Sequence, residues 1–137
     1  MVKEFWLSLP VKDIKKSRAF FDKLGFKFNT KNGNTDTSAA LMVGEKNIVV
    51  MLFEEPAFKG FTNTEVADTK QGTEVLLSFD AQSKEEVDAM AQKAIEAGGK
   101  TDHKPYEMQG WMYGCVFTDI DGHKWNVLHM DYSKMPK

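Results

Sequence analysis

Leu7-Ser8-Leu9-Pro10-Val11-Lys12-Asp13, followed by an amphipathic segment and Leu24-Gly25-Phe26, decides the fold, because the chain says it twice. The second half reads Leu77-Ser78-Phe79-Asp80, another amphipathic segment, then Ala97-Gly98-Gly99. Each half runs on into further strand-like segments. Self-similarity of this kind marks two copies of one supersecondary unit. It directs attention to the surface the two halves build together.

Working outward, Phe5 to Val11 alternates apolar and other residues with the period of a strand. Asp13 stands where a helix N-cap belongs, Ile14 to Leu24 carries apolar residues at helical spacing, and Gly25 follows as a C′ glycine. Further strands are expected at Phe26 to Asn29, Ala39 to Val43 and Ile48 to Phe53. The polar stretch Thr30 to Thr37 and Gly44-Glu45-Lys46-Asn47 are turns. The first half therefore reads β-α-β-β-β. In the second half Thr73 to Phe79 is a strand, and Ser83-Lys84-Glu85-Glu86 is a capping box. The box opens a helix with Val87, Met90, Ala91, Ala94 and Ile95 on one stripe. Strands near Lys100 to Pro105, Met112 to Thr118 and Lys124 to Met130 complete a second β-α-β-β-β. The connector, residues 56–72, carries Phe58, Phe61 and a helical turn expected around Thr64 to Asp68. A connector of that length reads either as a lid or as a tether with two aromatics packed beneath it.

The whole chain, 137 residues, reads as a single domain with module 1 at about 1–55 and module 2 at about 73–132. Hydrophobic residues are 42%, charged residues 28%, and the net charge is −2 with both signs interspersed, which argues against a nucleic-acid partner. No apolar run reaches the roughly 18 residues that suggest a membrane span. The N-terminus is already strand-like, and the one cysteine, Cys115, has no internal partner. A cytoplasmic protein is the expectation.

Strand parity sorts the side chains. Phe5/Leu7/Leu9, Ile48/Val50/Leu52, Val75/Leu77/Phe79 and Trp125/Val127/His129 should face the helices. The expected core is Leu7, Leu9, Phe21, Leu24, Val50, Leu77, Phe79, Met90, Ile95 and Val127. The opposite parity gathers Trp6/Ser8, Val49/Met51/Phe53, Glu74/Leu76/Ser78 and Asn126/Leu128/Met130. That mixture of aromatic, apolar and a few polar groups suits a small-molecule pocket.

Two such modules resemble the vicinal oxygen chelate superfamily, which includes glyoxalase I and the bleomycin- and fosfomycin-resistance proteins. The extradiol dioxygenases also belong to it. The residues carrying the resemblance are Leu9-Pro10-Val11-Lys12-Asp13-Ile14, Ser17, Phe20-Phe21, Leu24-Gly25-Phe26 and Phe117-Thr118-Asp119-Ile120-Asp121-Gly122-His123. The bacterial glyoxalase-like branch, labelled predicted lactoylglutathione lyase, looks most similar. It matches through Asn47-Ile48, Val50-Met51-Leu52, Thr73-Glu74-Val75-Leu76, Phe79, Met112-Tyr113-Gly114 and Asp121-Gly122-His123-Lys124-Trp125.

The resemblance implies an α+β fold in which two βαβββ modules form a curved mixed β-sheet cup, with helices on the outer face. It also implies a homodimer. In metal-dependent members four ligands sit on the first and fourth strands of each module, and those positions here are Trp6, Met51, Glu74 and Asn126. An indole N–H cannot ligate a divalent ion and a thioether is a poor ligand for hard cations. The expectation is that the metal quartet is not retained and no cofactor is needed, with weak divalent binding at Glu74 and Asn126 as the residual case.

Two function classes follow. One is a binding protein holding a small organic molecule with Trp6, Ser8, Met51, Phe53, Leu76, Asn126, Leu128, Trp111 and Tyr113. The other is an enzyme: a metal-dependent glyoxalase-type lyase or isomerase, or a dioxygenase-related enzyme, acting on a vicinal-oxygen substrate, or a metal-free enzyme with Glu74 as general base. Desolvation of Glu74 in the cup would raise its pKa for that role. Trp6 and Phe53 read as stacking walls or as filler for a lost metal. His103, His123 and His129 read as structural, and Cys115 as a buried inert thiol.

Overall fold

In a computed structural model describing residues 1–137, the chain divides into two units, Met1–Asp68 and Thr69–Lys137. In the first, β1 (Leu7–Val11) leads into α1 (Ile14–Lys23), then β2 (Lys27–Phe28), β3 (Ser38–Val43), β4 (Ile48–Glu54) and α2 (Glu55–Thr62). The strand order is β1-β4-β3-β2, with β1 parallel to β4 and the other pairs antiparallel. Asp13 caps α1 by accepting from the backbone N–H groups of Lys15 and Lys16 at 3.0 and 3.3 Å. Glu54, at the end of β4, accepts from the Ile14 N–H at 3.0 Å, so the last strand also holds the start of the helix. Gly25 takes φ +91°, as the C′ position requires. Ile14, Ser17, Phe20 and Phe21 of α1 are buried with Leu9, Val11, Val50 and Leu52. Replacing Asp13 with Ala should cost about 1 kcal/mol, read as a lower urea midpoint at unchanged slope.

The second unit contains β5 (Leu76–Asp80), α3 (Lys84–Glu96), β6 (Lys100–Thr101), β7 (Tyr106–Met108), β8 (Met112–Thr118) and β9 (Lys124–Met130). A short 3-10 turn at Tyr132–Lys134 follows. Here β5 runs parallel to β9, and β8 lies antiparallel between β9 and the pair β6 and β7. Val87, Ala91 and Ala94 are the buried stripe of α3. Val87 and Ala91 join Ala81, Cys115 and Val127 in one cluster, with Phe79, Met90 and Tyr113 packed against it. The fold is α+β, with α1 and α3 each against one face of a mixed sheet and neither sheet closed into a barrel. No helix is long and apolar enough to cross a membrane.

Several expectations need correction. The first strand begins at Leu7, leaving Phe5 and Trp6 ahead of it, 81% and 56% exposed. The helical part of the connector is Glu55–Thr62, and no helix covers Thr64 to Asp68. Pro56 acts as a helix starter in the first turn, where its missing N–H costs nothing. The strand expected from Thr73 begins at Leu76, which pairs with Lys124, the first residue of β9. β9 starts at Lys124, so its ladder offers no partner to Glu74.

The β7 strand forms where no strand is expected, and the Lys100 to Pro105 strand shrinks to two residues. Ile95 is 47% exposed, on the flank of the stripe; Leu7, Leu77, Phe79 and Met90 are half-buried. In the capping box Ser83 accepts from the Glu86 N–H at 3.1 Å. Glu86 reaches one residue further back than expected, accepting from the Gln82 N–H at 2.6 Å.

Candidate functional site

The parallel pairing of β1 with β4 builds a cavity on the first unit. Leu7 lies opposite Val50 and Ser8 opposite Met51. Buried Leu9, Val11, Val50 and Leu52 belong to the α1 side, so Trp6, Val49, Met51 and Phe53 share the other face. There a cavity of about 540 Å³ is lined by Glu4, Phe5, Trp6, Lys46, Asn47, Ile48, Val49, Met51 and Phe53. That volume falls within the range of small-molecule pockets.

The floor is held from two sides. A Cβ placed on Gly33 would lie 3.3 Å from both Sδ and Cε of Met51, so the loop after β2 packs on the Met51 thioether. That loop is itself tied down: Ser38 Oγ donates to the Gly33 carbonyl at 3.0 Å, and Arg18 donates to the carbonyls of Thr35 and Ser38. At the far end the Phe61 ring of α2 meets Phe53 edge-on, 5.0 Å between centroids. Phe53 belongs to the pocket face, so α2 stands on the opposite side of the sheet from α1. No residue of α2 is buried, and Phe61 is 71% exposed.

Among the residues expected to bind ligand, Trp6, Met51 and Phe53 come together in this cavity, with Ser8 half-buried beside Met51. In the second unit Asn126 and Leu128 are half-buried, and Asn126 Nδ2 donates to Ser78 Oγ at 3.3 Å. Leu76 and Glu74 are exposed, so the desolvation expected around Glu74 is not present.

Trp111 and Tyr113 line a different, small pocket with Lys84, Glu107, His129, Asp131 and Lys134. Tyr113 packs against the α3 cluster and its hydroxyl donates to Asp88 at 2.7 Å. That hydrogen bond, then burial, pushes the phenol up to about 12. Tyr113 therefore serves the α3 side of its sheet, opposite Asn126 and Leu128. Phe5 and Ile48, expected to face the helices, line the cavity instead, and sequence reasoning missed Glu4, Lys46 and Asn47 as pocket residues. Their meeting depends on the parallel pairing of β1 with β4, which sets the β3–β4 turn beside the residues preceding β1.

His129 Nδ1 lies 3.1 Å from the Ala81 carbonyl, and the His103 ring meets Tyr106 at 4.9 Å. Cys115 is 1% exposed, and burial pushes its thiol above the ordinary value.

At the positions where metal-dependent members carry ligands, the donor chemistry is poor in the first unit. Trp6 offers an N–H and no lone pair, and the Met51 sulfur is packed against the Gly33 loop. In the second unit, Asn126 uses its Nδ2 to donate to Ser78, which leaves its Oδ1, a neutral and weak donor atom, and the exposed Glu74 carboxylate. No group of three or more His, Cys, Asp or Glu side chains could hold a metal ion.

Comparison with known proteins agrees with this architecture. A hypothetical protein, SA1046, from S. aureus is 33% identical, with 94% of this chain and 95% of that one aligned at a TM-score of 0.84. A glyoxalase/bleomycin resistance protein/dioxygenase family enzyme from Burkholderia phytofirmans is 22% identical, covering 91% and 96% at 0.77. The genomically encoded fosfomycin resistance protein FosX from Listeria monocytogenes, complexed with Mn(II) and a sulfate ion, is 16% identical. It covers 98% and 94% at 0.67. No curated protein matches the sequence. The Glyoxalase/Bleomycin resistance protein/Dioxygenase superfamily model matches residues 5–127, and the chain belongs to that superfamily.

Proposed function

We propose that this protein binds a small organic molecule with a planar apolar body in the cavity of its first unit, and that it does so without the superfamily's metal quartet. The observation that carries the reading is the joint lining of one 540 Å³ cavity by Phe5, Trp6, Met51 and Phe53. Aromatic rings supply large, rigid contact area, and a methionine adapts to the shape of what it meets. The chemistry of Trp6 and Met51 at two metal positions supports binding without a metal.

Calorimetric titration with planar aromatic compounds tests the first part. Trp6→Ala should weaken any binder about tenfold, the effect of removing a central aromatic contact. Unchanged affinity in that variant would place the ligand elsewhere. Metal analysis of protein purified without added metal tests the second part. Stoichiometric Zn, Ni or Mn would overturn it.

A further inference from the structure

We propose that this cavity selects a planar aromatic carboxylate, with the ring on Trp6 and Met51 and the carboxylate at the Lys46–Asn47 turn. The assignment rests on the pocket reading above and adds the charge of its occupant. The cavity is polar at one end only. Glu4, Lys46 and Asn47 line that end, while Val49, Met51 and Phe53 follow along β4. At about 3.3 Å per residue, Asn47 to Phe53 spans about 20 Å. Trp6 precedes the Leu7–Val50 pair by one step, so its ring stands near Val49, between the polar end and Met51. A fused or linked ring system seated on Trp6 and Met51 thus reaches the turn with one substituent, and Phe53 closes the far end.

Two opposite charges stand at the polar end, and their supports differ. Lys46 and Asn47 belong to a tight turn in which Gly44 and Asn47 take φ +76° and +52° and the Asn47 N–H donates to the Gly44 carbonyl at 3.0 Å. Glu4 lies in the irregular segment ahead of β1. Neither Lys46 nor Glu4 takes part in an ion pair. The ammonium therefore comes from the fixed support, together with an amide N–H₂ that can donate beside it. A carboxylate can use both donors. A ligand cation would depend on the loosely held Glu4 and would face Lys46.

Isothermal titration with 2-naphthoate, 2-naphthamide and 2-naphthylmethylammonium tests this. Naphthoate should bind about fivefold tighter than the amide, with the ammonium weakest, and added salt should narrow the gap. Lys46→Gln should bring naphthoate and naphthamide within about twofold of each other. Glu4→Gln, which removes a negative charge from the end that receives the carboxylate, should raise naphthoate affinity by about twofold.

Equal affinities for naphthoate and naphthamide, both lost in Trp6→Ala, would overturn the charge selection and leave the pocket reading standing. Tighter binding of the ammonium, weakened by Glu4→Gln, would overturn it in favour of a cationic ligand. Absence of binding by all three would overturn the inference together with the reading beneath it.

Discussion

Asp119→Ala should destabilise the second unit by about 3 kcal/mol, among the largest effects of any polar substitution in the chain. Asp119 is 5% exposed and holds three donors at once. Its Oδ2 accepts from the indole Nε1 of Trp125 at 3.0 Å, and its Oδ1 accepts from the backbone N–H groups of Asp121 and His123 at 2.9 and 3.0 Å. Trp125 is 1% exposed, so truncation takes the acceptor from an indole N–H inside the core. Burial pushes the Asp119 carboxyl above the usual Asp range; attraction to His123, the indole hydrogen bond and the two backbone bonds pull it back only in part.

The pH dependence follows with a definite sign. The unfolded chain gives up this proton at the ordinary Asp value, and the folded protein holds it to higher pH. Between the two values the folded state carries more protons, so this carboxyl's contribution to stability falls as pH rises through that window. Asp119→Asn keeps an acceptor for the backbone donors but turns an amide N–H₂ towards one of the three. It should therefore cost less than Asp119→Ala. The advantage of the wild type over Asp119→Asn should narrow as pH rises through the window. Urea denaturation of the three proteins across acid to neutral pH measures both effects, and a gap that widens with rising pH would contradict this sign.

Gly114→Ala should cost about 2 to 3 kcal/mol through overpacking, although it adds a single methyl group. Gly114 sits on β8 with Tyr106 of β7 on one side and Leu128 of β9 on the other. A Cβ there would stand 2.6 Å from Leu128 Cδ1, 2.7 Å from the Val127 carbonyl oxygen and 3.3 Å from Met108 Cε. The leucine and methionine tips can swing away. The carbonyl belongs to the β9 backbone, so relief requires β9 to shift relative to β8. Hydrogen exchange should accelerate at the amides of both strands in the variant. Gly110→Ala is the contrast: it has φ +77° and nothing within 4 Å of an added Cβ, so only its backbone conformation resists, at about 1 kcal/mol. Equal costs at the two positions would show that the β8–β9 approach is not the tight one.

Periodicity exposed most of this fold and only half of its candidate site. Asp13, Gly25 and Ser83 mark helix ends through local chemistry, and the structure places them there. Buried Leu9, Val50 and Val127 follow from the strand period of two. Strand starts were less legible, because a ladder needs a partner as well as a pattern. Glu74 has the right parity, but β9 begins too late to meet it. Tyr106–Met108 is too short to show a period and becomes a strand only because β8 lies alongside. Trp6, Met51 and Phe53 were legible as pocket residues because parity is local. Lys46 and Glu4 were not, since their meeting depends on the parallel register of β1 and β4, a long-range pairing that a turn motif does not reveal.

That pairing also sets the order in which the chain acquires structure as it is made. β1 has one sheet neighbour in its unit, β4, and β5 has one, β9. Each first strand must wait for the last strand of its own half. The α1 start waits as well, because Glu54 accepts from Ile14 only once β4 is in place. The first sheet has all its strands once Glu54 has left the ribosome, while the second stays incomplete until Lys124–Met130 follows. Nascent chains of increasing length should therefore gain protease resistance in two steps, with a plateau between them rather than a gradual climb.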